Sequence, residues 1–209
     1  MFRLGSPGPH VNDETFGETS DERGQTVPHH RSDVLDRAIS LLDRGGLASL
    51  TMRRLGTELE VQPSAIYHHF ESKQVLLAAV ADEILARGAR PRTAVEWPDR
   101  LREICVELRQ AMLACTDGAD VVATVWAFGL GASAPVADLE KVLTDAGAPD
   151  ELVAVASRTL VHYVFGHAFE EQTARQAVRL GAVERSLESL PDFDLGLDLV
   201  IDGLRARLA

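Results

Sequence analysis

Residues 61–73 read VQPSAIYHHFESK and place a proline, a tyrosine, two adjacent histidines and a lysine within thirteen residues. Pro63 suits the first position of a helix, where its missing N–H would have no partner within the helix. The pattern predicts a short helix, about seven residues long, that ends near Phe70. Its side chains leave three hypotheses open: a metal site, a catalytic site, or a surface that contacts a charged partner.

A second short helix is predicted immediately before this one. Thr51 can cap a helix over 52–59 in which Leu55 and Leu59 face inward, and Val61 and Gln62 form the connection. Two helices joined in this way make a helix-turn-helix arrangement. In that arrangement the N-terminal residues of the second helix lie in the DNA major groove and contact base edges.

The helix after Pro63 must then bury one face and expose the other. Ala65, Ile66 and Phe70 are expected to point into the core, which leaves the polar side chains outside. Serine, tyrosine and histidine can hydrogen-bond to phosphates or base edges. His68 and His69 point about 100° apart on a helix, which argues against a shared metal ion. The surface for a charged partner is therefore favoured.

The rest of the chain is also predicted to be helical, and we expect an all-α fold. Residues 1–30 are rich in Gly, Pro, Ser, Thr and acids and are expected to be a disordered tail. The first helix is expected to begin after Ser32 as its N-cap and to stop at Gly45 and Gly46. Further helices are predicted over 73–87, 98–115, 119–129, 135–146, 149–172 and 192–208, with an irregular stretch at 173–191.

The net charge of −11 argues against a nucleic-acid partner only if its distribution is ignored. Residues 31–73 carry six basic and six acidic side chains, so the excess negative charge lies elsewhere. No apolar run approaches the roughly 18 residues that span a bilayer, and the N-terminus lacks the apolar segment of a secretory signal. Cys105 and Cys115 are ten residues apart on one predicted helix, too far for a disulfide within it. These features indicate a cytoplasmic protein with reduced thiols and no membrane association.

Two stretches resemble the tetracycline-repressor (TetR) family of bacterial transcriptional repressors. Residues 46–56 (GLASLTMRRLG) contain a Leu-Thr-x-Arg-x-Leu core, and residues 59–73 (LEVQPSAIYHHFESK) contain Tyr-x-His-Phe-x-x-Lys. Residues 97–98 (WP) and 166–170 (GHAFE) are similar to the tetracycline-repressor branch itself. The resemblance implies a homodimer with a three-helix DNA-binding head at 31–75 and a larger helical effector-binding and dimerisation body at 76–209.

The same resemblance implies a set of DNA-facing residues: Thr51, Arg53, Ser64, Tyr67, His68, His69 and Lys73. Tyr67 and Lys73 are expected to contact phosphates. Arg53 is expected to read a base, because a guanidinium can bind guanine O6 and N7 together. Glu60 stands where the family's turn usually has glycine, at a position that favours a positive φ, so we expect mild backbone strain there.

The body is expected to hold an effector pocket with a largely apolar lining, for which the candidates are Leu85, Ile104, Leu108, Met112, Trp126, Phe128, His162 and Phe165. By the resemblance, Ala89 and Val122 occupy the positions of a drug-binding and a magnesium-binding histidine, and only Glu170 matches a carboxylate near the metal. Alanine and valine neither coordinate an ion nor donate a hydrogen bond. We therefore expect a small, largely apolar effector other than magnesium–tetracycline, with no metal and no cofactor.

An apolar stripe marks the predicted last helix, with residues spaced by threes and fours: Phe193, Leu197, Val200, Ile201, Leu204 and Leu208. Together with 149–172 it could form a four-helix bundle with a second copy across a two-fold axis. The alternative is that the stripe packs within one subunit.

The sequence thus predicts a ligand-responsive repressor that binds palindromic operator DNA as a homodimer. An activator, or a regulator without an effector, remains an alternative. An enzyme using His162, His167 and Glu170 as acid–base groups is disfavoured. The sequence shows no nucleophile–base–orienter set, no phosphate-binding glycine loop and no metal-ligand spacing.

Overall fold

The computed structural model describes residues 18–20, 26–182 and 192–208. Within them the chain is almost entirely helical, which confirms the predicted fold class. The helices are α1 (Arg31–Ser49), α2 (Met52–Glu58), α3 (Pro63–His69), α4 (Lys73–Gly88), α5 (Trp97–Leu113), α6 (Gly118–Ala127), α7 (Ala134–Asp145), α8 (Asp150–Arg179) and α9 (Phe193–Leu208).

A short antiparallel pair of strands precedes α1. Strand β1 (Glu18–Ser20) pairs with β2 (Thr26–Pro28), with Thr19 opposite Val27. The pair lies in the tail for which disorder was expected, and three-residue strands are too short to show an alternating pattern in the sequence. The remainder of that tail, 1–17 and 21–25, lies outside the described residues.

Helix α1 begins at Arg31, so the prediction of Ser32 as its N-cap is wrong. His30 precedes the helix, and its backbone N–H donates to the Asp33 carboxylate at 2.7 Å. The N–H that precedes the helix is therefore bound by a carboxylate of the first turn. A search of the sequence for an N-cap side chain does not detect this kind of contact. The helical conformation breaks at Gly46, whose φ is 66°, where the sequence placed the stop.

The three helices of the predicted head, α1 to α3, begin and end close to their predicted positions. Thr51 accepts the N–H of Arg54 at 3.1 Å, so its predicted cap is present, and Ser72 accepts that of Val75 at 3.2 Å before the helix predicted from residue 73. Pro63 occupies the first position of α3. The buried side chains of α2 and α3 meet those of α1 in one core, which contains Leu42, Leu55, Leu59, Ile66 and Phe70.

Helix α4 leaves this head and packs against both α5 and α6, while α5 contacts α4, α6, α7, α8 and α9. Helix α8 runs to Arg179, so the stretch from residue 173 onward, predicted to be irregular and at most partly helical, is helical as far as 179. The buried carboxylate of Glu171, which binds Arg109 and Arg175, lies just before this stretch. Within 173–179 only Ala174 is buried, so this part of the helix shows no apolar periodicity in the sequence.

The end of the irregular stretch, 183–191, lies outside the described residues. None of the helices that the structure describes is both long and apolar enough to cross a membrane.

Candidate nucleic-acid interface and effector cavity

Helix α3 presents a polar face to solvent, as the sequence predicted. Ser64, Tyr67 and His68 are exposed, and Tyr67 has 47% of its surface accessible. Ile66 and Phe70 lie on the opposite face with 1% and 0% accessible. The short helix is therefore held by two large apolar anchors, and its polar side chains are exposed to solvent.

The neighbouring helices add three of the predicted DNA-facing residues. Thr51 and Arg53 are exposed at the start of α2, which packs against α3, and the half-buried Lys73 is the first residue of α4. The Thr51 hydroxyl accepts a hydrogen bond from Arg54. Its own proton remains free to donate, because a hydroxyl can do both at once.

His69 differs from the other members of this set. It is half-buried, and its Nε2 is enclosed without a hydrogen-bond partner among the described residues. His69 and Lys73 are therefore less accessible than the other five predicted DNA-facing residues.

The turn between α2 and α3 has the strained conformation that the sequence predicted. Glu60 has a φ of 57°, in the left-handed region that favours glycine. Gly56 is required nearby, because a Cβ there would lie 2.9 Å from the Val61 carbonyl oxygen. The turn is also contacted by His29, whose Nε2 lies 3.0 Å from the Leu59 carbonyl oxygen and must carry the proton, since a carbonyl only accepts.

Glu58 pairs with two basic side chains of the head. This carboxylate binds Arg44 at 2.7 Å and lies 3.6 Å from Arg37. The hydrogen bond from Arg44 holds the pKa of Glu58 below its usual value. Arg53 and Arg54 form no ion pair with the rest of the described chain, and of the two only Arg53 belongs to the predicted DNA-facing set.

Gln62 is a candidate base-reading residue that was not predicted from the sequence. It is exposed and occupies the N-cap of α3, yet its side chain makes no capping bond. The N-terminal end of a recognition helix is the part that approaches base edges, and a glutamine amide can bind adenine N6 and N7 together. The sequence feature that could have identified Gln62 is its position directly before Pro63.

The contact between head and body was likewise not predicted. Asp117 accepts the backbone N–H of Leu47 at 2.7 Å, and Asp43 accepts the N–H of Thr116 at 2.9 Å. From the other side, the Gln172 amide of α8 donates to the Cys115 carbonyl oxygen and accepts the N–H of Ala119. The loop between α5 and α6 is thus bonded to α1 on one side and to α8 on the other.

Three of the eight effector candidates line one cavity. Leu85, Ile104 and Leu108 belong to a cavity of about 320 Å³ between α4, α5 and α7. Ala89, which stands where the resemblance implies a drug-binding histidine, lies on the same wall.

The other five candidates lie elsewhere. Trp126 packs edge-to-face against His162 and Phe165 at centroid distances of 5.4 and 5.5 Å. Met112 is fully buried in the core, and Phe128 has 70% of its surface exposed. The eight residues therefore do not form a single pocket within one subunit.

The apolar stripe of α9 packs mainly within the subunit. Leu197 and Ile201 have 0% and 1% of their surface accessible, and Phe193 and Leu204 are also buried. The outward face of α9 is different: Leu195 and Leu199 are 63% and 72% exposed. A contact with a second copy would thus use the flank of the predicted stripe rather than its centre.

Both cysteines are free and buried. Burial raises the pKa of the Cys105 thiol to about 12. Burial also raises the pKa of Cys115, and the nearby Asp43 carboxylate adds to this shift. Neither thiol is suited to nucleophilic chemistry, because the thiolate is the reactive form.

Comparison with known sequence families places two matches along the chain. The family described as "Bacterial regulatory proteins, tetR family" matches residues 34–80, and "Tetracyclin repressor-like, C-terminal domain" matches residues 90–185. The class A tetracycline repressor from transposon 1721 of Escherichia coli is 32% identical over an alignment of 198 positions. The match covers 83% of this chain and 89% of that protein.

Solved structures show the same similarity. BioQ of Mycobacterium smegmatis is 40% identical with a TM-score of 0.78, covering 85% of this chain and 98% of that one. BioQ in complex with its double-stranded DNA operator is 41% identical with a TM-score of 0.71, over 85% and 99% of the two chains. A TetR variant from Acinetobacter baumannii AYE in complex with minocycline is 29% identical with a TM-score of 0.69, over 87% and 99%.

Proposed function

Since the chain belongs to the TetR family of DNA-binding transcription factors, which are not enzymes, we propose that it is a ligand-responsive repressor. It binds palindromic operator DNA as a homodimer and is released by a small, largely apolar effector. The observation that carries this proposal is the exposed polar face of α3, anchored by Ile66 and Phe70 in a helix-turn-helix head. Its relative BioQ was solved on operator DNA.

Within the head, we assign phosphate contacts to Tyr67 and Lys73 and base reading to Arg53, with support from their positions around α3. Thr51, Ser64 and His68 add further polar groups on or beside this surface, and His69 sits at its inner edge. Residues 31–73 are electrically neutral although the chain carries a net charge of −11, so the head is the least repulsive part of the protein towards DNA.

The proposed dimer interface uses α8 and α9. An exposed groove between them is lined by apolar and small residues together with a few polar ones, including Leu152, Val155, Thr159, Leu199 and Gly203. Two such helices from each subunit can form a four-helix bundle across a two-fold axis. That symmetry would place two recognition helices on half-sites about 34–36 Å apart, which makes the operator palindromic.

The proposed effector cavity is the one between α4, α5 and α7. Helix α4 lines it with Leu85 and Ala86 and begins at Lys73, within the head. A ligand that shifts α4 would therefore move the two heads away from the spacing of the operator. Coupling of this kind is typically about 1–3 kcal/mol and is reciprocal, so operator DNA should weaken effector binding by the same factor.

Magnesium–tetracycline fits this chain poorly. Ala89 on the cavity wall and the fully buried Val122 supply neither an imidazole for the drug nor a ligand for the metal. The cavity of about 320 Å³ also lies at the small end of the roughly 300–1,000 Å³ typical of ligand pockets. A smaller molecule is the better occupant. A regulator that binds chromosomal DNA in a bacterium would act in the cytoplasm.

An electrophoretic shift assay with the DNA that flanks the protein's own gene tests this function. We expect a discrete complex for the wild type and for Arg54→Ala, and weakening by about 1–3 kcal/mol for Arg53→Ala. A reporter gene placed behind the same DNA should rise on deletion of the protein. A fall in the reporter would instead identify an activator, and failure to shift any flanking fragment would count against a local operator.

A further inference from the structure

The cavity between α4, α5 and α7 carries charged side chains as well as apolar walls. Four of its lining residues are charged: Asp82, Arg92, Glu107 and Asp138. Arg92 donates to Glu107 at 2.6 Å and to Asp138 at 2.7 Å, one bond from each terminal nitrogen. The guanidinium of Arg92 is therefore already paired with two carboxylates, which makes it a poor partner for an anionic ligand.

The carboxylates, in contrast, keep spare capacity to accept. Asp82 accepts the N–H of Ala132 through Oδ1 at 2.8 Å, and Asp138 accepts Arg92 through Oδ2. In the described part of the chain, Asp82 Oδ2 and Asp138 Oδ1 have no hydrogen-bond partner. Glu107 is more fully used, because its second oxygen accepts the N–H of Arg90 at 2.9 Å. The open side-chain acceptors of this lining thus belong to carboxylates, and its open side-chain donors are the remaining N–H groups of Arg92.

The net charge of the lining also favours a cationic ligand. Three carboxylates face one guanidinium, which leaves an excess of negative charge. Arg90 donates its backbone N–H to Glu107 of this lining. It also lines a separate cavity with Asp43 and Arg87. Arg87 is paired with Asp36 and Glu83. A ligand carboxylate would meet like charge, whereas a ligand cation would find opposite charge and vacant acceptors.

The remaining lining is apolar and consists of Leu85, Ala86, Ala89, Ile104, Leu108, Ala111, Ala134 and Pro135. We infer that the cavity takes a small apolar molecule that carries one ammonium or amidinium group, which binds to Asp82 and Asp138. This inference rests on the proposed effector role of the cavity and names the chemical class of that effector. Binding itself can be measured without DNA, so the two claims can fail separately.

Three probes that share one apolar part test the inference on the full-length protein. They are 2-phenylethylamine, 2-phenylethanol and phenylacetate, which carry a positive, neutral and negative polar group. Isothermal titration calorimetry should show about tenfold tighter binding of the amine than of the alcohol, as expected for a charge-assisted hydrogen bond, and the weakest binding for the acid.

Two nearly isosteric variants locate the effect. In Asp82→Asn and Asp138→Asn the amide oxygen can keep the bond to Ala132 N or to Arg92, while the open carboxylate oxygen becomes an NH₂ group. The preference for the amine should disappear while binding of the alcohol stays unchanged, which shows that the cavity is intact. Asp145→Asn is the matched control, because Asp145 lies on α7 but does not line the cavity. It should keep the full preference.

Equal affinities for amine and alcohol, tighter binding of the acid, or no binding of the amine at millimolar concentration would each overturn the inference. An amine preference that survives in both cavity variants would also overturn it, because the cation would then bind elsewhere. An amine that binds as described without releasing operator DNA would support the inference and contradict the proposed effector role. Loss of operator binding in the flanking-DNA assay would bear on the repressor function alone.

Discussion

Asp117 at the start of α6 accepts a hydrogen bond from the backbone N–H of Leu47, which follows the break in α1, at 2.7 Å. Two left-handed backbone conformations face each other at this contact, with a φ of 55° at Asp117 and 66° at Gly46. A Cβ on Gly46 would lie 2.6 Å from Asp117 Oδ2, so only glycine leaves room for the bond. The Asp117 carboxylate, together with the bonds between Asp43 and Thr116, therefore helps to fix the orientation of the head on the body.

Replacing Asp117 with glycine should loosen this joint without adding backbone strain, because glycine accepts a positive φ. We expect the free energy of unfolding to fall by about 1–3 kcal/mol, the usual cost of losing a hydrogen bond to a charged group. Operator affinity should fall as well. Chemical denaturation and a gel shift measure the two effects. Asp117→Asn keeps an acceptor oxygen and should remain close to wild type, so equal losses in both variants would contradict this role.

Replacing Lys73 with glutamine should reduce the salt dependence of operator binding. Without its ammonium group, each subunit neutralises one phosphate fewer, so the slope of log K against log salt falls by about 0.9 per subunit, or roughly 1.8 for the dimer. Fluorescence anisotropy across a salt series measures the slope. Lys141, the other lysine of the chain, is exposed on α7 and paired with Asp145. Lys141→Gln should leave the slope unchanged, and an unchanged slope for Lys73→Gln would remove Lys73 from the DNA interface.

Placing aspartate at both Val155 and Leu199 should yield monomers. The two side chains are 59% and 72% exposed in one subunit and line the same groove, so the substitutions leave its core intact. Light scattering should then report about the subunit mass of 22.7 kDa, and operator affinity should drop with loss of the second half-site. Leu180→Asp, at a site 74% exposed at the end of α8, serves as the control. A full dimer mass for the double variant would reject this interface.

Cys105 and Cys115 should react slowly with a thiol reagent such as DTNB at pH 8 in the native protein. Burial raises the pKa of Cys105 to about 12, so very little thiolate exists at that pH. The pKa of Cys115 is shifted in the same direction by burial and by Asp43. Guanidinium should release both thiols at once. Rapid reaction of either thiol in the folded state would show that its surroundings open in solution.

The elements of the head were predictable because their signals are local. Thr51 and Ser72 cap helices whose first turns lie within three residues of them, and Pro63 sets the start of α3 through its own ring. The positive φ of Glu60 was expected from the family resemblance, which places glycine at this position of the turn. Each of these features depends on a few consecutive residues, so the amino-acid order alone determines them.

Packing between distant elements was decided only by the tertiary structure. The apolar spacing of α9 is real, yet Leu197 turned out to face its own subunit, because periodicity shows which face is apolar and not what covers it. The bond from Leu47 to Asp117 crosses 70 residues of sequence, and the open carboxylates that line the proposed effector cavity come from helices α4 and α7. The sequence by itself determined the helices and the exposed polar face of α3. The joint between head and body and the polarity of the cavity depend on contacts that exist only once the helices pack.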